Sequence, residues 1–305
     1  MTLSKKKILL GPSSFAERDR QPLEKLLASG CEVIHNPYGR KLTKPELLQC
    51  LKKDVTGIIA GLEPLDKEVL EKSNLKVISR CGSGMSNVDL EAAKKLGIKV
   101  FSTPNGPITA VAELTLGCLL TLLRRVPRVN QSLHERKWDK QIGRQLEGKK
   151  VAVVGWGRIG RKVGQLLLAF GAEVMAVDPL YQNTDPQVKK MELPAALAIA
   201  DVITLHCSGH DRVLGKQEFA LMKNGAYLLN AARGELIDEE ELLKALNSGK
   251  MDGVWLDTFL EEPYRGPLCD HPDILLTAHI GSYTEECRRT MEIESVENLL
   301  HGFSR

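Results

Sequence analysis

Along the first hundred residues, short apolar runs of strand length alternate with segments whose apolar positions recur at helical spacing. Lys7–Gly11, Cys31–His35, Gly57–Gly61, Val77–Arg80 and Lys99–Ser102 read as strands, and Pro22–Ser29, Lys44–Lys52, Asp66–Lys72 and Asp89–Leu96 as helices. Alternation at this rhythm predicts a parallel sheet covered by helices on both faces. A second unit, from about Thr103, repeats the plan with strands at Lys150–Val154, Glu173–Val177, Asp201–His206, Gly225–Asn230, Gly253–Asp257 and Ile274–Thr277. The pattern therefore predicts an α/β chain with two doubly wound parallel sheets, which bind ligands at the carboxyl ends of their strands.

Between the units lies Ile108–Leu123, sixteen residues with Glu113 as the only charge. A helix apolar on nearly every face is expected to be buried on every face. Either an internal core or a subunit interface satisfies that, and the interface reading implies a homodimer. The run is too short to span a bilayer. Arg124–Leu146, with Trp138 among many charges, is poorly periodic and reads as an arm reaching over a partner subunit.

Composition narrows the class. The 305 residues suffice for two domains, and 43% hydrophobic with 27% charged residues is a globular balance. A net charge of +3, with no basic run interleaved with aromatics, argues against a nucleic-acid partner, and Lys5-Lys6-Lys7 reads as a solvated lead-in to the first strand. No apolar leader opens the chain and no run reaches membrane length, so no membrane partner is expected. Seven scattered cysteines without a CxxC pair fit reduced thiols in the cytoplasm; Cys31, Cys50 and Cys118 read as small core hydrophobes.

The most specific signal is Lys150-Val151-Ala152-Val153-Val154-Gly155-Trp156-Gly157-Arg158-Ile159-Gly160, followed by a helical run, the strand ending at Val177, and Asp178. Gly155 permits a tight turn, Gly157 a close approach to a pyrophosphate, and Gly160 close packing of helix on strand. The helix N-terminus offers free N–H groups to the phosphates. Asp178 follows Gly160 by 18 residues, where a carboxylate bonds both ribose hydroxyls and repels a 2′-phosphate. The expected cofactor is NAD.

Three residues downstream supply chemistry for hydride transfer. Arg233, in Asn230-Ala231-Ala232-Arg233-Gly234, can grip a carboxylate with two parallel hydrogen bonds. His279, in Leu276-Thr277-Ala278-His279-Ile280-Gly281, can exchange a proton near neutrality, and Glu262, before Pro263, can stabilise its imidazolium. Sequence spacing alone does not bring the three together. His206, Cys207 and His210 look like metal ligands, but without a fourth nearby no metal is expected.

These motifs resemble, in order and over nearly the whole chain, the D-isomer-specific 2-hydroxyacid dehydrogenases. The resemblance runs through Arg80-Cys81-Gly82-Ser83-Gly84, Asn87-Val88-Asp89-Leu90, Thr103-Pro104-Asn105-Gly106, Ala112-Glu113-Leu114, Gly155–Gly160, Asp178, the Arg233 segment, Asp257–Pro263 and His279-Ile280-Gly281. Within the family it is to phosphoglycerate dehydrogenases without a C-terminal regulatory domain. It implies a flavodoxin-like substrate domain over residues 1–102, completed by 283–305, and a Rossmann NAD-binding domain over 103–282. The implied activity is oxidation of 3-phosphoglycerate, with hydroxypyruvate or glyoxylate reduction as the alternative. An NADH-sensing corepressor-like binding protein is the alternative of another class.

The resemblance also assigns roles. Arg233 would hold the substrate carboxylate and keto oxygen, His279 would be the acid/base, and Glu262 its partner. Ser83 and Gly84 would bind the substrate carboxylate, with Ser83 near the nicotinamide. Gly155, Gly157, Arg158, Ile159 and Gly160 would line the pyrophosphate and Asp178 the ribose. Cys207, Ala231, Ala232, Asp257, Gly281 and Ser282 would line the nicotinamide end, with Asp257 accepting from the carboxamide. The chain departs from the pattern at Cys207-Ser208-Gly209-His210, where many members carry proline, and at Ala60, where phosphoglycerate dehydrogenases often carry a phosphate-holding arginine. Glu63 would repel phosphate, and Arg136, Lys140 and Arg144 on the arm are the replacement cations to consider.

Overall fold

A computed structural model describes residues 6–209 and 211–304, so Lys5 of the lysine run and His210 lie outside the described residues. The chain divides into two compact units, one formed by residues up to Pro107 together with those from Ser282 onward, the other by Ile108–Gly281.

The first unit runs β1 (Lys7–Leu10), α1 (Gln21–Ala28), β2 (Glu32–His35), α2 (Lys44–Cys50), β3 (Val55–Ala60), α3 (Lys67–Lys72), β4 (Val77–Arg80), α4 (Leu90–Lys95) and β5 (Lys99–Ser102). Its five strands are parallel in the order β2-β1-β3-β4-β5, which reverses direction between β1 and β3. Helix starts follow from acidic caps: the Asp66 carboxylate accepts from Val69 N–H at 3.0 Å and the Asp89 carboxylate from Ala92 N–H at 2.9 Å. The central strands are buried on both faces, as parallel strands between helical layers must be.

The second unit opens with α5 (Pro107–Leu123), which begins one residue before the boundary, and α6 (Val126–His134). It continues with β6 (Lys150–Val154), α7 (Arg158–Ala169), β7 (Glu173–Val177), β8 (Val188–Lys190), α8 (Leu193–Ile199), β9 (Val202–Leu205), α9 (Lys216–Leu221), β10 (Ala226–Asn230), α10 (Glu239–Asn247), β11 (Met251–Leu256) and β12 (Ile274–Leu276). Its seven parallel strands are ordered β12-β11-β10-β9-β6-β7-β8, reversing between β6 and β9. The register aligns Val154, Val177, Leu205, Asn230, Leu256 and Leu276 along one edge, so the residues that follow each of them share the carboxyl side of the sheet. Separate apolar cores, one around Leu228 and Val254 and one around Tyr227 and Trp255, hold the helices to its two faces.

Two segments between the sheets take definite form in the single chain. The apolar helix forms as α5, but it is not buried on every face of the single chain: Thr109, Glu113 and Gly117, one stripe at four-residue spacing, are exposed, with Leu116 and Leu120 half-buried beside them. The arm beyond it is partly helical, as α6, and Arg125 and Arg144 tie its base to Asp252, with Arg144 at 2.8 Å. Arg144 is therefore engaged structurally, over the Tyr227 ring as well, and is a poor substitute for a phosphate-holding arginine. Further along the arm, Trp138 is 81% and Ile142 93% exposed.

The last helix, α11 (Glu285–Ser304), returns to the first unit and packs on α1, β3, β4 and β5. Its approach is close because Gly302 has no side chain: a Cβ there would stand 2.6 Å from Val77 Cγ1 and 3.0 Å from Phe101 Cε2. Overpacking of this kind costs about 1–3 kcal/mol, against a helix-propensity gain of up to about 1 kcal/mol for alanine. Gly302→Ala should therefore lower the urea midpoint of the first unit, and an unchanged midpoint would mean that the helix end slides away without cost.

Candidate active site

The turn after β6 is built by close approaches. Gly155 has φ +93°, and a Cβ on it would overlap the backbone of Cys207 at the end of β9, across the point where the strand order reverses. A Cβ on Gly160 would overlap the Gly155 carbonyl oxygen, so α7 can lie against the turn because that position is glycine. Gly157, the N-cap of α7, has no side-chain cap, and a Cβ there would meet nothing within 4 Å. The open side of the turn thus faces the uncapped N–H groups of α7, an arrangement that accepts phosphate oxygens. Arg158 is exposed and Ile159 half-buried in that first helical turn.

Asp178, immediately after β7, is fixed beside this turn: Oδ2 accepts from Trp156 N–H at 2.7 Å and Oδ1 from Leu180 N–H at 2.8 Å. A carboxylate has about four acceptor directions, so two backbone donors leave room for two ribose hydroxyls. Trp156, itself buried, packs against Tyr181 with ring centroids 5.6 Å apart. Cys207 is half-buried, and burial pushes its thiol pKa up, which keeps it protonated. Ala231 is half-buried and Ala232 buried. Turn, helix end and carboxylate together fit a dinucleotide with free ribose hydroxyls.

On the same carboxyl edge stand the candidate catalytic groups. The buried side chain of Asn230 shapes the turn after β10, with Oδ1 accepting from Ala232 N–H at 3.0 Å and Nδ2 donating to the Arg233 carbonyl at 2.7 Å. Arg233 is half-buried and donates from Nη1 to the Ala232 carbonyl at 2.7 Å. Asp257, after β11, is 1% exposed, and both its oxygens are claimed. Oδ1 accepts from the Thr277 hydroxyl at 2.6 Å and Ile280 N–H at 2.8 Å, and Oδ2 from Gly281 N–H at 2.8 Å. These bonds close a tight turn in which His279 takes φ +54°. Such a backbone is uncommon for a histidine and persists where the surroundings impose it. His279 then donates from Nδ1 to Glu262, 2.8 Å from Oε2 and 3.1 Å from Oε1, while Glu262 Oε1 also accepts from Phe259 N–H at 3.1 Å. With Nδ1 so engaged, Nε2 is the atom left to give or take a proton.

The remaining candidates divide by unit. Ser83, exposed, and Gly84, half-buried, lie in the first unit on the loop after β4, as does Ser282 at that unit's return. The loop is pinned by Gly82 N–H donating to Thr103 Oγ1 at 2.7 Å and by Asn87 Nδ2 donating to the Gly61 and Glu63 carbonyls at 3.1 and 2.8 Å. Glu63 is 1% exposed, folded back onto Gly61 N–H at 2.5 Å rather than presented outward. Burial raises its pKa, offset in part by the Gly61 N–H and by the Arg80 and Lys41 charges. Among the described residues no cluster of three or more metal-ligating side chains forms. Sequence reading missed Thr277, Trp255, whose indole donates to Thr277 Oγ1 at 2.9 Å, and the Glu239–Tyr264 pair. The signal available for Thr277 was its place one residue beyond a strand end, among motif residues.

Two outcomes follow from this geometry. Gly157→Ala should leave the melting temperature unchanged, since its Cβ enters open space, yet weaken NADH binding about tenfold or more by blocking the phosphate approach; Gly160→Ala should cost folding itself. Fluorescence titration and thermal melts separate the two. Burial drives His206 down to a pKa of about 3 from an ordinary 6.5. Its folded value lies below its unfolded one, so the stability it contributes is complete above about 6.5 and is lost as pH falls toward 3. His206→Gln should flatten that part of the acid-unfolding curve, and an unaltered slope would place the titration elsewhere.

The comparisons agree with this geometry. Residues 116–281 match the NAD binding domain of D-isomer specific 2-hydroxyacid dehydrogenases. The chain is 35% identical over 268 residues to a hydroxypyruvate reductase of Thermotoga maritima, covering 85% of this chain and 88% of that one. It is 36% identical over 275 residues to a D-3-phosphoglycerate dehydrogenase of Methanocaldococcus jannaschii, covering 86% of this chain but 52% of the relative, about half its length. The TT0316 protein of Thermus thermophilus superposes with a TM-score of 0.87 at 33% identity, covering 98% of this chain and 97% of that one. The chain belongs to the NAD-dependent D-isomer-specific 2-hydroxyacid dehydrogenases.

Proposed function

We propose that the chain transfers hydride reversibly between the nicotinamide and a small D-2-hydroxy acid or its 2-keto acid, with His279 as acid/base. The observation that carries this reading is the His279–Glu262 pair at 2.8 Å, on the same sheet edge as the dinucleotide turn. The bound cofactor supplies or accepts the hydride. Arg233 anchors the substrate carboxylate and polarises the keto oxygen. In reduction, protonated His279 delivers a proton from Nε2 to the nascent alkoxide; in oxidation, the neutral ring takes it back. Glu262 fixes the ring through Nδ1. Asp257 has its oxygens occupied by the His279 turn, so its contribution is to hold that turn, with any bond to the carboxamide added to it.

The favoured substrate is an unphosphorylated acid of the hydroxypyruvate or glyoxylate kind. Ala60 offers no cation at the end of β3, and the buried Glu63 carboxylate offsets the Arg80 charge nearby. The second reading, 3-phosphoglycerate, rests on the similarity to the phosphoglycerate dehydrogenase. A homodimer belongs to the proposal, supported by the uncovered α5 stripe and by the exposed Trp138 and Ile142. So does a reducing cytoplasmic location, which suits seven free cysteines.

NADH oxidation with matched hydroxypyruvate, glyoxylate and 3-phosphohydroxypyruvate tests the assignment, and preference for the phosphorylated acid would overturn the favoured substrate. NADH binding without turnover on a wider keto-acid panel would favour a sensing role instead. His279→Ala should lower kcat about 10²–10⁴-fold with little change in NADH affinity. Arg233→Ala, which removes two charge-assisted bonds, should lower kcat/KM by about 10²–10⁴. An unchanged Michaelis constant for the keto acid would count against that role.

A further inference from the structure

Glu262 works from an exposed loop. Leu260 is 68% exposed, and Glu261, Glu262, Pro263 and Arg265 are exposed as well. Holding a glutamate side chain in one rotamer costs up to about 2 kcal/mol of entropy, so a loop this open needs anchors if its carboxylate is to stay 2.8 Å from an imidazole.

Two anchors exist, and both reach the stretch that follows β10 and carries Arg233. At one end, Gly234 lies flat on the Phe259–Leu260 peptide; a Cβ on Gly234 would overlap Phe259 C and Leu260 N. At the other end, Tyr264 turns back toward α10. Its ring stacks on Phe259 at 4.5 Å and 21°, and its hydroxyl donates to Glu239, the first residue of α10, while accepting from Leu268 N–H at 3.3 Å. A Cβ on Gly266 would overlap the phenol, so the glycine makes room for it. Burial, with the Glu239 carboxylate adding to it, pushes the phenol pKa well above its ordinary value, so the hydroxyl stays a donor through the neutral and alkaline range. The segments 233–239 and 259–266 are thereby tied together twice.

We infer that Tyr264 and Glu239 are positioning residues, a clamp on the outer side of the loop that keeps Glu262 against His279 and in register with Arg233. The inference rests on the reading of His279 and Glu262 as the acid–base pair. Tyr264→Phe keeps the ring stack and removes only the hydroxyl; Glu239→Ala removes the acceptor; Glu239→Gln keeps an oxygen that can accept from the phenol.

The experiment is steady-state reduction of hydroxypyruvate by the full chain, with NADH titration and thermal melts of each variant. The expected result is a fall of about tenfold in kcat for Tyr264→Phe and Glu239→Ala, the loss of about one hydrogen bond's worth of transition-state stabilisation. NADH affinity should stay within about twofold, Glu239→Gln should keep at least about half the parent kcat, and the double variant should lose no more than either single one. Parent-like kcat in Tyr264→Phe, or melts that fall while kcat holds, would overturn the clamp, as would equal losses in Glu239→Gln and Glu239→Ala. His279→Ala separates the two levels: if it turns over at the parent rate, the acid–base reading fails and the clamp with it. If it is inactive while Tyr264→Phe is unaffected, the clamp alone fails.

Discussion

The buried carboxylate of Asp257 is the interaction on which the catalytic edge of the second unit depends. A carboxylate 1% exposed is costly unless its oxygens are met by donors, and three donors from a single five-residue stretch meet them here. Those same bonds force the chain between Thr277 and Gly281 to turn back on itself, and the turn puts His279 into a left-handed backbone. The desolvation cost of the acid is thus converted into the orientation of a histidine. The network extends inward through Thr277 to the Trp255 indole, so the turn is tied to a fully buried strand residue.

The strands and their order along the chain were legible because parallel strands buried on both faces are short continuous apolar runs, and those stand out between helical periods. Their ends were less so: Asp201, His206, Gly225, Asp257 and Thr277 read as strand but lie one residue outside it, although each N–H still donates to a main-chain carbonyl at or beside the end of a neighbouring strand. β8 was invisible because Val188-Lys189-Lys190 is three residues long and sits at the sheet edge, where one apolar position is enough. The α5 stripe was legible only as an apolar count. Threonine, glycine and leucine satisfy an apolar count as well on an uncovered surface as in a core, and no periodicity separates the two.

The dinucleotide turn was legible because its logic is local: three glycines within six residues, Gly155 required by its approach to Cys207 across one strand pair, Gly160 by its approach to the Gly155 carbonyl, and Gly157 leaving the side of the turn open. The Arg233, Glu262 and His279 assignments came from ordered motifs rather than from spacing, and the contacts explain why spacing was silent. Glu262 and His279 are 17 residues apart, and Tyr264 and Glu239 25 apart. Nothing in a linear pattern records which of several carboxylates closes such a distance. Glu63 shows the converse, a carboxylate expected to face a ligand that instead caps its own loop through Gly61 N–H.

The division of labour among these groups follows from what each must resist. Asp178 and Asp257 sit directly after strands and are held by backbone N–H groups, so main-chain geometry at the sheet edge sets their positions. Glu262 is one third exposed, on a loop with no ladder to hold it, and meets a single side-chain partner and one N–H of its own loop. Water competes for every acceptor direction it leaves open, and a free glutamate would spread over many rotamers. Its usefulness to His279 therefore depends on restraints supplied from behind: the Gly234 contact, the Phe259–Tyr264 stack and the hydroxyl that reaches Glu239. Where a catalytic carboxylate stands on a loop instead of a strand end, the specificity of its geometry has to be found in residues that never touch the substrate.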